Sequence, residues 1–278
     1  MKKLLSVLLI AVLVLSVTSA AFAVSPDQKI VKNEYLYLKD LQKLTDEELQ
    51  ARGFDAATIT ELRNIDYAKE LKRRAQLDEK ELKESYGYAD EKIKKLKNFK
   101  GTEDEVIALA ASVTYDIAYY SHGYSSTTNK STMRVKNSWS WSSRPVLTFT
   151  DIEAFSWTDG FSLDGSSTKS YTTVTYQSVG TFTTKYYPNL DSSLHGASTK
   201  FPMTKYDSYG LIAWAKSGAG YLTIWKTGRH YGDVTIRGAY GHNQFSVSPG
   251  VTFPAGGGIT FTWSVVEEDS DWHTTTFS

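Results

Sequence analysis

Two patterns of apolar spacing divide this chain. Between residues 45 and 100, apolar side chains recur at three- and four-residue intervals among charges, so that Ile59 and Leu62 share one helical face. Beyond residue 106 the period changes to two. Ile259, Phe261, Trp263 and Val265 alternate with Thr260, Thr262 and Ser264, as in a half-buried strand. Val135, Trp139 and Trp141 follow the same rule, as do Val174 and Tyr176, Val234 and Ile236, and Phe245 and Val247. Leu211 to Ala215 is continuously apolar, which predicts a strand covered on both faces. Turn clusters at Asp159-Gly160, Asp164-Gly165, Ser217-Gly218, Pro249-Gly250 and Gly256-Gly257-Gly258 separate these runs. The spacing predicts roughly eight to ten strands in an antiparallel β-sandwich or a barrel. The expected fold is therefore mainly β, preceded by a small α-helical repeat region and a signal peptide.

The helical region contains a repeat. Thr45-Asp46-Glu47-Glu48-Leu49 leads to Gly53-Phe54, then Ile59 and Leu62-Arg63-Asn64. Asp78-Glu79-Lys80-Glu81-Leu82 leads to Gly87-Tyr88, then Ile93 and Leu96-Lys97-Asn98. Thr45 with Glu48, and Asp78 with Glu81, have the spacing of helix N-terminal caps. Gly53 and Gly87 stand where a short helix ends in a left-handed residue. Each unit thus reads as a short helix, a glycine turn and a second short helix. Two units are fewer than a free-standing stacked array needs. Over residues 45–100 the pattern resembles a tandem repeat upstream of β-rich domains in uncharacterised secreted proteins of Gram-positive spore-forming bacteria. The resemblance implies secretion and a helical region ahead of the β domain, and carries no activity.

Charge sharpens the division. Residues 24–105 hold 17 Lys/Arg and 19 Asp/Glu, against 12 and 12 in the much longer stretch 106–278. The expected organisation is a signal peptide at 1–23, a charged helical repeat region at 24–105 and an all-β domain at 106–278. The signal is read from Lys2-Lys3, the apolar run Leu4–Val17 and the small-x-small site Ala21-Phe22-Ala23. An uncleaved anchor is the alternative, which the short apolar run disfavours. The expected location is secreted and extracellular. With no cysteine, disulfides and thiolate chemistry are excluded, so packing or bound ions must supply stability. A formal net charge of zero lacks the basic excess of a nucleic-acid binder.

Candidate chemistry is sparse. His230, Asp233 and His242 are the only weak candidates for a hydrolytic centre. No Gly-x-Ser-x-Gly elbow is present, no histidine pair has helical spacing, and His230 and Asp233 fall on opposite faces of a shared strand. Glu267, Glu268, Asp269 and Asp271 form an acidic cluster expected on a loop, where carboxylates suit calcium; a solvated turn is the favoured reading. All seven tryptophans lie in the β half. Trp139 with Trp141, and Tyr221 with Trp225, share faces and are the candidate binding residues, either as a platform stacking on sugar rings or as core. The lysine run from Lys92 to Lys100 reads as a solvated helix face. Arg73-Arg74 is a dibasic pair open to extracellular proteases if the helical part is a pro-region.

These features favour a secreted, non-catalytic β protein that binds a cell-wall or surface polymer, a glycan or a protein partner, without nucleic acid. The alternative is a pore-forming toxin or antibacterial protein, in which Ser166–Thr184 inserts as a membrane hairpin. Only that reading involves a membrane, and Ser166–Thr173 has almost no apolar face. A secreted hydrolase is the third reading. No cofactor is expected beyond the calcium option.

Overall fold

The computed structural model describes residues 30–158, 160–190, 195–246, 248–254, 257–262 and 265–276, without side chains for residues 30, 119, 120 and 262–276. The expected signal segment, Asp159, Val247 and Trp263 lie outside the described residues.

The chain enters as a strand, β1 (Ile30–Asn33), and then forms seven helices: α1 (Glu34–Lys43), α2 (Asp46–Ala51), α3 (Ala56–Asn64), α4 (Tyr67–Ala75), α5 (Glu79–Glu84), α6 (Asp90–Lys97) and α7 (Glu103–Leu109). Their starts are written locally. Thr45 and Glu48 exchange hydrogen bonds in a reciprocal cap on α2, Asp78 accepts from the Glu81 amide of α5, and Thr102 with Glu105 repeats the Thr45 arrangement on α7. Gly53 and Gly87 both have positive φ, at 91° and 68°, which ends the first helix of each repeat. The two units lean on each other and on the β part. Leu49, Leu62, Leu71, Leu82 and Leu96 form one buried cluster with Phe245, a residue that follows the twelfth strand. Phe245 is therefore not the strand residue its spacing predicts. Its ring meets Phe54 edge-on at 5.5 Å.

Two further expectations change here. Arg73-Arg74 lies within α4, and Arg74 is only 3% exposed. Its guanidinium donates to the Tyr88 hydroxyl and to the carbonyls of Arg144 and Pro145, so Arg74 is a structural clamp and not the open residue its sequence context implies. The lysine run is not purely solvated either. Lys92 Nζ donates to the Ala110 carbonyl at 3.0 Å and Lys97 Nζ to that of Ala75 at 3.0 Å, each bonding a carbonyl left open near a helix end.

The remaining strands are β2 (Ser112–Ser125), β3 (Lys130–Trp141), β4 (Thr150–Trp157), β5 (Ser162–Leu163), β6 (Tyr171–Gln177), β7 (Thr181–Tyr186), β8 (Asn189–Leu190), β9 (Gly196–Pro202), β10 (Thr204–Tyr206), β11 (Ile212–Thr227), β12 (Asp233–Asn243), β13 (Gly250–Thr252), β14 (Thr260–Thr262) and β15 (Val265–Thr276). The larger sheet runs β1-β2-β3-β11-β6-β7, with β5 and β10 also paired to β11. A second runs β15-β12-β4-β9-β8, and β13 and β14 pair as a separate two-stranded ribbon. All strand pairs are antiparallel, and both sheets keep open edges, so the architecture is a sandwich and not a closed barrel.

Between the sheets lie two apolar clusters. One joins Tyr115, Trp139, Trp141 and Tyr176 to Phe201 and Tyr240, and the other joins Met133, Val135 and Ile224 to Trp157 and Ile236. Strand β3 shows the rule plainly, alternating half-buried and buried residues from Lys130 to Trp139. The run Leu211–Ala215 is only partly covered. Ala213, Trp214 and Ala215 are fully buried, whereas Leu211 and Ile212 are about half exposed. Trp214 is covered by Gly87, whose turn packs directly on its ring. A Cβ there would stand 2.9 Å from that ring.

Gly87 and Gly210 both have positive φ, but only Gly87 faces a neighbour. Each alanine substitution should cost the left-handed penalty of about 1–2 kcal/mol. Gly87→Ala should cost at least about 1 kcal/mol more than Gly210→Ala, through displacement of Trp214. Urea unfolding of the two variants measures the difference, and equal losses would show that this contact does not hold the helices to the sheet.

Candidate functional site

The outer face of the larger sheet carries two adjoining depressions, and no helical residue lines either. The first is a shallow trench of about 390 Å³ bordered by hydroxyls from four strands: Thr114, Ser138, Ser140, Thr173, Thr175 and Ser217. Its floor is backbone. A Cβ on Gly218 would come within 2.5 Å of the Trp139 ring below and 2.8 Å of the Thr173 carbonyl, so glycine keeps the trench open. The second is a groove of about 220 Å³, with Tyr171 and Tyr221 in it and Arg134 and Lys169 beside them.

Strand register builds this face. Tyr221 on β11 pairs with Lys136 on β3 and with Tyr171 on β6. Directly opposed positions project the same way, so the two tyrosine rings meet with centroids 4.8 Å apart. An ammonium group stands over each ring: Lys136 Nζ is 5.6 Å from the Tyr221 centroid and Lys185 Nζ is 4.3 Å from that of Tyr171. Further along the same face, Lys130 Nζ lies 3.7 Å over Trp225.

The candidate binding residues thus divide. Tyr221 and Trp225 are half-buried on the outer face, as their spacing implies. Trp139 and Trp141 also share a face, but it is the inner one, where they are 2% and 4% exposed. Trp139 stacks on Phe201 at 5.2 Å with 3° between the planes, and Trp141 Nε1 donates to the Tyr240 hydroxyl at 3.0 Å. Both are core, because period two identifies partners on a face without saying which face is wet. Tyr171, Arg134, Lys136, Lys169 and Lys185 were missed. The signal for Tyr171 was present, since it alternates with the buried pair Val174 and Tyr176, but its partner on β11 is about fifty residues away.

The catalytic candidates do not converge. His230 follows β11 and meets Phe161 edge-on at 5.3 Å, and Asp233 opens β12 on the exposed side. His242 is near the far end of β12, roughly 30 Å along the strand from Asp233. It is fully buried and bonded, with Nδ1 3.0 Å from Asp151 Oδ1 and Nε2 3.6 Å from Glu34 Oε1. Burial lowers the affinity of this ring for its proton, but the two carboxylates outweigh that and raise its pKa to about 9. A buried imidazolium held between carboxylates has no lone pair to act as a base, so these three residues make no hydrolytic centre.

Nearby, between the sheets, Glu153 accepts from the Thr172 hydroxyl at 2.5 Å. Burial pushes its pKa up to about 7, against the hydrogen bonds from Thr172 and Asn137.

The acidic cluster is also placed differently from expectation. Glu267, Glu268, Asp269 and Asp271 lie within strand β15, where the register against β12 slips between Tyr240 and His242. The strand continues because β12 offers it an unpaired edge. Their side chains are outside the described residues. Among the described residues no group of three or more potential metal ligands is assembled. No described helix is long and apolar enough to cross a membrane.

No family model matches this chain, and no match to a curated protein was found. Among solved structures, a collagen-binding domain from a Staphylococcus aureus adhesin is similar at 11% identity and a TM-score of 0.30, covering 57% of this chain and 96% of that one. AvmM, which catalyses macrocyclization in alchivemycin A biosynthesis, is similar at 8% identity and a TM-score of 0.24, covering 48% of this chain and 75% of that one.

The two buried groups make stability fall as pH rises, in separate windows. The folded pKa of Glu153, about 7, exceeds its ordinary value of 4.5, so raising pH from 4.5 to 7 favours the unfolded state. His242 stabilises fully below 6.5, and that contribution is lost as pH rises through about 9. Each window should span about 3 kcal/mol at full extent. Urea unfolding across pH 4–10 should show both, with Glu153→Gln flattening the lower and His242→Gln the upper. A wild-type profile that is flat from pH 5 to 9 would contradict both assignments.

Proposed function

We propose that this protein is a secreted, non-catalytic binding protein whose sandwich holds an extended polymer or protein segment on the outer face of its larger sheet. The observation that carries the reading is the trough made by the adjoining trench and tyrosine groove. It lies mainly on strands, four of them, with the turn at Lys169 at one edge, and is shallow rather than enclosed. That shape suits a chain passing over the surface better than a small molecule, which is held in a deeper and more apolar pocket. Secretion rests on the segment 1–23, and the location at the cell exterior follows from it.

The pore-forming alternative is weakened by a specific feature. The segment Ser166–Thr184 includes β6 and most of β7, the edge hairpin of the larger sheet. Its release into a membrane would expose Val174 and Tyr176, which are fully buried between the sheets. Each would lose about 1.5–3 kcal/mol of burial, and the facing core would open as well.

Co-sedimentation of residues 24–278 with washed cell walls, insoluble polysaccharides and lipid vesicles, each with calcium or chelator, tests the proposal. Pelleting with walls or glycans is expected, and the double variant Tyr171→Ala/Tyr221→Ala should reduce it at least about tenfold, because it removes the central ring pair that shapes the groove and holds Lys136 and Lys185 in place. Because both tyrosines are half-buried on an outer face, the variant should stay folded, which its melting curve checks. Retention unchanged in the double variant would reject this face. Pelleting with vesicles alone would favour the pore reading, and calcium dependence would direct attention to β15.

A further inference from the structure

The reading above leaves the ligand's chemistry open; resting on it, we infer that the trough recognises a hydroxylated polyanion, a chain carrying repeated phosphodiester or carboxylate groups between units rich in hydroxyls. Three observations lead there. First, the rings that a neutral sugar would stack on are already occupied. Sugar stacking needs a bare aromatic face, and here Lys136, Lys185 and Lys130 stand over Tyr221, Tyr171 and Trp225. The same occupancy disfavours nucleobases, which require open rings as stacking platforms.

Second, the charges are one-sided. Arg134, Lys136 and Lys169 line the trough, with Lys130 and Lys185 beside it. Asp116, at the trench end, is the one carboxylate lining either depression. No described carboxylate lies within ion-pairing distance of the five cations. Some cations of the helical part are paired instead, as with Arg73 and Arg74 on Glu70. A lysine held over a ring still has ammonium hydrogens free for an anion and loses less freedom on meeting one.

Third, the cations of the groove adjoin the hydroxyl-bordered trench. Arg134 and Lys136, two residues apart on β3, are about 7 Å apart along the strand, and Lys185 lies three strands from Lys136, about 14 Å across. A chain crossing the strands meets cations at those intervals and then the Thr and Ser border of the trench. Its anionic groups engage the former and its hydroxyls exchange hydrogen bonds with the latter.

The test uses residues 24–278, the variant Arg134→Gln/Lys136→Gln/Lys169→Gln, and a charge-matched control, Lys43→Gln/Lys80→Gln/Lys94→Gln, altered at exposed helical lysines. Affinities are measured for poly(glycerol phosphate), polygalacturonate, poly-glutamate, dextran and oligo-dT at about 50 and about 500 mM NaCl, conditions that span weak and strong screening. The two hydroxylated polyanions should bind, at least about tenfold more weakly at high salt and in the trough variant, with the control unchanged. Dextran and poly-glutamate should bind at least about tenfold more weakly than polygalacturonate.

Failure to bind either hydroxylated polyanion overturns the inference. So does equal binding of dextran or poly-glutamate, insensitivity to salt, an equal loss in the control, or tighter binding of oligo-dT. In each of those cases, wall or glycan retention that Tyr171→Ala/Tyr221→Ala abolishes leaves the binding face itself standing. Retention indifferent to that double variant rejects the face as well.

Discussion

The carboxylate of Glu34 is the point at which the helical part and the sandwich become one body. It sits at the first position of α1 and is 2% exposed, an expensive place for a charge. Its oxygens accept from the Tyr67 hydroxyl at 2.6 Å, the Val146 amide at 2.9 Å and the Leu147 amide at 2.8 Å, and they face His242 on β12. His242 in turn holds Asp151 on β4, which also accepts from the Asn243 amide and from the Tyr240 hydroxyl. Helix, connecting loop and two strands of one sheet therefore meet in a single set of ionic bonds. Two carboxylates and one imidazolium leave an excess negative charge, balanced by neutral donors aimed at it. Loss of one member would strand the others without water, which costs about 3–5 kcal/mol. The helices are thus fixed to one end of the sandwich, and no helical residue lines the trench or the groove.

That arrangement explains what the sequence could disclose. The repeat, its caps and its glycine turns are local, so Thr45, Asp78, Gly53 and Gly87 are visible as a pattern and act as read. The third cap, Thr102 with Glu105, has the same local spacing without a glycine turn after α7. Strand alternation was visible too, but only as sidedness. Trp139 and Trp141 share a face by arithmetic, and whether that face meets Phe201 and Tyr240 or solvent depends on a sheet made of distant strands. Tyr221 and Trp225 obey the same arithmetic on the opposite side. Phe245 shows a different limit, since an isolated apolar residue near a strand end filled the helical core instead.

The site was less legible than the fold for a related reason. Charged residues at alternating strand positions, such as Arg134 and Lys136, look like ordinary solvated side chains when read along the chain. They become a site only when β11 lays Tyr221 beside Lys136 and β6 lays Tyr171 beside Tyr221. Conversely, His230, Asp233 and His242 look chemically promising because they are close in sequence. A strand separates its ends by about 3.4 Å per residue, so closeness along a strand is distance in space.

Net charge misleads in the same manner. A sum of zero over the whole chain concerns its field at long range, whereas a ligand on a sheet face feels the charges within roughly one Debye length, about 10 Å at 0.1 M salt. The helical part balances its own charges through pairs such as Lys83 with Asp90 and Arg63 with Asp46. In the sandwich Asp151 and Glu153 are buried among neutral donors and His242, while Arg134, Lys136, Lys169 and Lys185 gather on one outer face with Asp116 the one carboxylate lining its depressions. Uneven placement of charge gives a neutral protein one basic face. Glycine at 218, serine and threonine along the trench, and lysines laid over rings keep that face low, so an extended chain can reach the cations without displacing a loop.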